Sequence, residues 1–198
     1  LTSYNENEKV IEKIYSEQLE AILFSINQYS EDVAGSWATK VDDFLDELEK
    51  LNTRNSYKKI DSFFVELPSL VGFFIADSIK DNKIDFFTYQ RENQLLDEDY
   101  DSLNIVAKNL LRDNQKIITR LFTYKRGGYR KIEPVENKFI NQTSVLIFIE
   151  ETPDKITRLT GLLLDPNEFV YRILSPKIQE IAEQEFIISV RNPKVNFA

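Results

Sequence analysis

The residues able to do chemistry are few in kind. The chain contains no His and no Cys. That removes the commonest general base, the commonest metal ligand and every thiol nucleophile. Ser-His-Asp and Cys-His constellations, the HExxH zinc helix and zinc knuckles are therefore impossible. Neither GxxxxGK[ST] nor GxGxxG occurs, so no Gly-rich phosphate loop is expected. The one Gly pair, Gly127-Gly128, is flanked by bases and follows a helical pattern rather than a strand. Carboxylate chemistry remains open to a chain with 33 acidic residues. A working pair would have to face across a cleft, and no spacing singles one out. Asp97, Asp99 and Asp101 imitate the start of a calcium loop, but Ser102 and Lys108 stand where that loop needs Gly and Glu. They read as acids complementing the dipole of a helix N-terminus. The expectation is a domain with no catalytic residue, no metal ligand and no cofactor.

Binding chemistry is denser at one place. Lys125, Arg126, Arg130 and Lys131 gather around Tyr124 and Tyr129 in a chain of net charge −8. Guanidiniums beside phenols can clamp a carboxylate while stacking on its apolar part. Tyr124, Arg126, Tyr129 and Arg130 are accordingly the expected ligand residues, for an anionic small molecule or an acidic peptide. The competing reading is that these cations complement a helix C-terminus and solvate a loop. The overall negative charge repels phosphate backbones and gives no attraction to an anionic membrane, so nucleic acid is not an expected partner. Asn141-Gln142-Thr143 fits a glycosylation acceptor and is read as chance.

These residues must be positioned by long regular elements, because Gly numbers only 5 and Pro 6. The first fifty residues read as one helix. Tyr15, Leu19, Ile22, Ile26, Tyr29, Val33, Trp37, Val41, Phe44, Leu48 and Leu51 follow steps of three and four. That is a heptad-like seam with one stutter, which holds Gly35. The seam either packs along its own domain or pairs with a second copy. Ile22, Ile26, Tyr29 and Trp37 are the residues expected to form a homodimer in the second case. A polar linker spans 52–59, and 60–67 reads as a strand or a lead-in. Residues 71–77 and 84–89 read as a β-hairpin and 103–124 as a helix with Gly127 at its C-cap. Strands are expected over 145–149, 156–164 and 186–190. Asp165 and Pro166 should open a third helix, running to about Gln184, that Pro176 kinks or splits. The order is α-β-β-α-β-β-α-β, an α+β domain with an antiparallel sheet and helices on one face. Residues 1–55 form the long helix in this reading and 56–198 the core.

The stretch INQYSEDVAGSWATK, with Gln28, Tyr29 and Trp37, resembles the first extracytoplasmic helix of bacterial sensor histidine kinases, particularly those of Bacteroidetes type. Leu70 to Phe87 and Gly161 to Val190 resemble the strand–turn–strand and strand–helix–strand parts of Cache-type, PAS-like sensors. The likeness covers most of the chain in order and rests on pattern. The ligand motifs of amino-acid-binding Cache domains are not matched, so the resemblance carries over no binding residue.

The resemblance implies a PAS/Cache-like sensor on the periplasmic side of an inner membrane. Such a domain binds a small molecule or protein and passes a displacement to a cytoplasmic kinase. The opening residue Leu1 and the lack of Met fit a segment of a longer, membrane-anchored protein. Two rivals stand beside this reading. One is a non-catalytic protein-interaction module of a membrane or cell-envelope protein, with a filled core and an exposed apolar patch. The other is a carboxylate enzyme, which needs two acids facing across a cleft.

Overall fold

Six helices and one antiparallel sheet make up the computed structural model, which describes residues 2–49, 56–77, 84–88, 100–140, 142–151 and 157–181. The scarcity of helix breakers shows first in α1 (Thr2–Glu49), 48 residues that pass Gly35 without a break. The helix α2 (Ser56–Val65) follows. The strands are β1 (Leu70–Asp77), β2 (Ile84–Thr88), β3 (Ile132–Val135), β4 (Ser144–Glu151) and β5 (Thr157–Leu164). Between them lie α3 (Tyr100–Asp113) and α4 (Gln115–Arg126). After β5 come α5 (Pro166–Phe169), a π-helical turn (Val170–Leu174) and α6 (Ser175–Ile181).

The sheet order is β2-β1-β5-β4-β3, with every neighbour antiparallel. This is the α+β architecture the sequence pattern gives, and the strand order is compatible with a PAS-like fold. Two compact units share the chain. One contains residues 1–33 and 170–198, the other 34–169. The division therefore falls inside α1 and not at residue 55, because residues 34–49 pack with the sheet. In the first unit Ile22 and Ile178 are buried, and Lys177 Nζ lies 5.7 Å from the Tyr29 ring centre.

The second unit carries helices on both faces of its sheet, where one covered face was expected. Successive strand residues point to opposite faces. Phe74, Val145, Ile147, Ile149, Leu159 and Leu163 form one core with Ala107, Leu110, Ile118 and Leu121 of α3 and α4. On the other face, Phe73 meets Phe44 of α1 at 6.2 Å and Phe63 and Phe64 of α2 at about 6 Å between ring centres. As a result every residue of β5 from Arg158 to Leu164 is buried. Alternating patterning could not reveal this, since a strand covered on both faces reads as a continuous apolar run.

Four local differences from the sequence reading have physical causes. Residues 60–65 are helical, not a strand. Ile60, Phe63, Phe64 and Leu67 stand at i, i+3, i+4 and i+7, the spacing of one helix face. The helix expected over 103–124 is two helices that meet at the buried Asn114. Its side-chain amide donates to Leu110 O and Glu136 O, and its Oδ1 accepts from Glu136 N. The strand β3 was not expected. It is short and contains Pro134, tolerable only because β3 lies at the edge of the sheet. The helix expected after Asp165 is split, but by the π-helical turn just before Pro176 rather than at Pro176 itself, which stands in the first turn of α6 where a missing N–H breaks no helical bond. The N-cap at Asp165 forms as expected, with Oδ1 accepting from Asn167 N and Glu168 N. The strand expected over 186–190 lies outside the described residues.

Gly161 marks the tightest approach in the sheet. A Cβ there would lie 2.2 Å from Cε1 and Cζ of Phe74, its β1 partner. Gly161→Ala should cost about 1–3 kcal/mol in urea unfolding, the usual range for overpacking. Phe74→Leu in the same background should recover part of it. An unchanged unfolding midpoint for Gly161→Ala would contradict this packing.

Candidate functional site

The basic loop after α4 is built by its two glycines. Gly128 has φ +81°, the left-handed region that favours glycine, while Gly127 has φ −78°. Gly128 N donates to Lys125 O and Tyr129 N to Tyr124 O, both at 3.0 Å. These are the two bonds of a Schellman cap, with Gly127 at the C-cap and Gly128 just past it. The glycines thus fix the chain rather than hinge it, and they set the direction in which Arg130 leaves.

Arg130 leaves inward. Its Nη1 donates to Thr39 Oγ1 and its Nη2 to Asp42 Oδ2, each at 2.9 Å. Its Nε pairs with Glu150 Oε1. The guanidinium carbon lies 4.9 Å from the Phe148 ring centre, within cation–π range. Lys125 Nζ reaches the other oxygen of Glu150 at 3.0 Å. One guanidinium therefore joins α1 to β4, with all three of its nitrogens engaged.

Of the expected ligand residues, Arg130 therefore already has a partner within the protein at each of its three nitrogens. Arg126 remains exposed and turns its Nε toward Phe122 O of its own helix at 3.4 Å. Tyr124 and Tyr129 are exposed, at 38% and 71%. All four residues keep surface exposure, and Arg130 alone is engaged in ion pairs within the protein.

The acids drawn in with it were not singled out by sequence. Asp42 lies among a helix's polar residues, but Ala38, Val41 and Leu45 around it are all buried. A carboxylate next to buried Val41, with Ala38 four residues before it and Leu45 three after it, was the available signal. Arg158 on β5 is directly opposite Glu150 on β4 and is itself buried. Burial drives the Asp42 carboxyl up to about 7; Arg130 opposes this, Glu150 adds to it, Arg158 opposes it and Asp46 adds a little more. Asp42 Oδ1 is buried without a hydrogen-bond partner among the described residues. No group of acids there is arranged to hold a metal ion.

A separate open groove of about 300 Å³ lies between α1 and α2. Phe44 and Phe63, stacked at 4.3 Å, form its floor. Asp43, Glu47 and Glu66 line it, with Lys40 at 4.0 Å from Glu66. Its size is at the low end for small-molecule sites.

The expected dimer residues are divided by burial. Trp37 is 5% exposed and lies edge-on to Phe169 at 5.6 Å, so it belongs to its own core. Ile22 is also buried, and Ile26 and Tyr29 are half-buried. The exposed apolar residues of α1 are Ile14, Tyr15, Leu19, Leu23 and Phe24, at 47–71%.

Arg130→Met leaves Asp42 without its partner and takes one cation from Glu150, which keeps Lys125, so it should destabilise the fold by about 2–4 kcal/mol, somewhat below a fully buried pair because the cluster is partly open to water. Arg126→Met should fall within about 0.5 kcal/mol of the parent, as surface changes do. Chemical unfolding of both checks this, and equal effects would contradict it. Compared with known protein families, curated proteins and solved structures, the chain finds no match.

Proposed function

We propose that the chain is a non-catalytic, PAS-like input domain whose output element is α1. In this reading it is the extracytoplasmic sensing part of a membrane-bound bacterial sensor histidine kinase. One observation supports it above the rest. Residues 37–45 of α1 are buried at Trp37, Val41 and Phe44 and tied to the sheet by Phe44 on Phe73 and by the Arg130 pairs, while the same unbroken helix exposes Leu19, Leu23 and Phe24. A helix is stiff along its axis, with every turn bonded to the next. A change in how the sheet holds residues 37–45 is therefore passed along the helix. No helix among the described residues is long and apolar enough to cross a membrane. The proposed anchor belongs to other parts of the parent protein.

A second reading has its own support. An exposed apolar run on α1 is also what a protein-interaction module of the cell envelope would present. Both readings use this face, and they differ in what covers it. An input domain of this kind works as a dimer and covers the face with a second copy; an interaction module covers it with a different protein.

Sedimentation equilibrium separates them. The isolated chain should self-associate, and Leu19→Glu with Phe24→Glu should make it monomeric with an unchanged melting temperature. These positions are preferred to Ile22, where a charge would attack the protein's own packing. A chain monomeric at every concentration, or a variant that still associates, would count against output through a dimer of α1.

A further inference from the structure

With no His and no Cys, this chain has no side chain that ordinarily titrates between about pH 5 and 8. Only a displaced group could respond there, and the structure displaces one. Two carboxylates, Asp42 on α1 and Glu150 on β4, converge on the single guanidinium of Arg130. We infer that the Asp42–Arg130–Glu150 cluster is a proton-binding site that sets how firmly α1 sits on the sheet near neutral pH. This deepens the input-domain reading, and rests on it only for the role of the signal.

The groups facing Asp42 come from every element around it. Arg130 approaches from the loop after α4, Glu150 from β4, Arg158 from β5 and Asp46 from α1 itself. Lys125 of α4 acts on the cluster through Glu150. Glu150 already has Lys125, the Nε of Arg130 and its cross-strand neighbour Arg158. Asp42 has the one bond from Arg130 Nη2, and its Oδ1 has none among the described residues. Oε1 of Glu150 likewise has no hydrogen-bond partner among the described residues, but Glu150 is approached by three cations and Asp42 is in contact with Arg130 alone, so Asp42 is the less compensated of the two. A proton on Asp42 removes that buried charge and leaves Arg130 to Glu150. Loss of the proton to solvent sets a second anion beside Glu150 on the guanidinium of Arg130. The side chain is 24% exposed, so the proton has a path to water.

The direction follows from the raised value. The folded chain keeps a proton on Asp42 between the ordinary 3.8 and about 7, where the unfolded chain has released it. Folding is then favoured at lower pH. The contribution of Asp42 to stability falls as pH rises through that window and is flat above it. The folded chain itself gives up the proton near 7, and residues 34–49 of α1 are held less firmly once it has left.

Trp37 is the only Trp, is buried, and stands on α1 five residues before Asp42. Its emission should shift to longer wavelength as pH rises, with one midpoint near 7. Asp42→Asn should abolish the transition. Glu150→Gln should move its midpoint to lower pH by removing a like charge. The α-amino group, which ordinarily titrates near 7.7–8.0, is common to all three proteins and cancels. The ¹³C shift of the Asp42 carboxyl in the unaltered chain provides a readout that needs no variant. A carboxyl that titrates in the ordinary range, or an emission change that survives in Asp42→Asn, overturns the inference. Either result leaves self-association through α1 as a separate question, so the two ideas fail separately.

Discussion

A single guanidinium, shared by two acids that come from distant parts of the chain, is the constraint that sets how α1 meets the sheet. Arg130 meets Asp42, 88 residues earlier, and Glu150 on β4. Closing so long a loop costs chain entropy, and the contacts around it have to repay that cost. Preorganisation keeps the cost down. The Schellman cap fixes where Arg130 leaves α4, Phe148 supports its flat face, and Thr39 orients one edge. A planar fork suits this task better than an ammonium would, because it presents several donors in fixed directions at once.

Apolar packing does most of the holding, and the ion cluster determines which arrangement is held. Phe44, Phe63, Phe64, Phe73 and Phe87 form a chain of ring contacts from α1 through α2 into β1 and β2. Such contacts have broad geometric tolerance, since offset and edge-on pairs are of similar worth. An ion pair with bonded donors is far less tolerant of rotation or slip. The register of α1 on the sheet is thus fixed at Asp42 more narrowly than at Trp37 or Phe44.

Much of this architecture was legible in the residues. The long helix, the hairpin ending in Phe86 and Phe87, the strand pair around Gly161 and the cap at Asp165 all follow from spacing and turn chemistry. The edge strand holding Pro134 was not, because four residues with a proline carry no strand pattern. The helix holding Phe63 and Phe64 was legible in its i, i+3, i+4, i+7 spacing, although 60–67 reads at first as a strand or a lead-in. The basic loop was found as a cluster of charge, yet its meaning lay in partners 25 to 88 residues away, Lys125 with Glu150 and Arg130 with Asp42. A cluster read along the chain suggests an external anion. In three dimensions the protein supplies that anion itself.

The account stands on the contact between Asp42 and Arg130, so its most direct test is a double-mutant cycle at that pair. Asp42→Asn, Arg130→Met and their combination would be unfolded by urea at about pH 8 and again at about pH 5.5. The expected result is a coupling of roughly 1–3 kcal/mol at the higher pH, typical of contacting charged groups, and a clearly smaller one at the lower pH, where Asp42 is neutral. Coupling near zero at both, or equal at both, would contradict it.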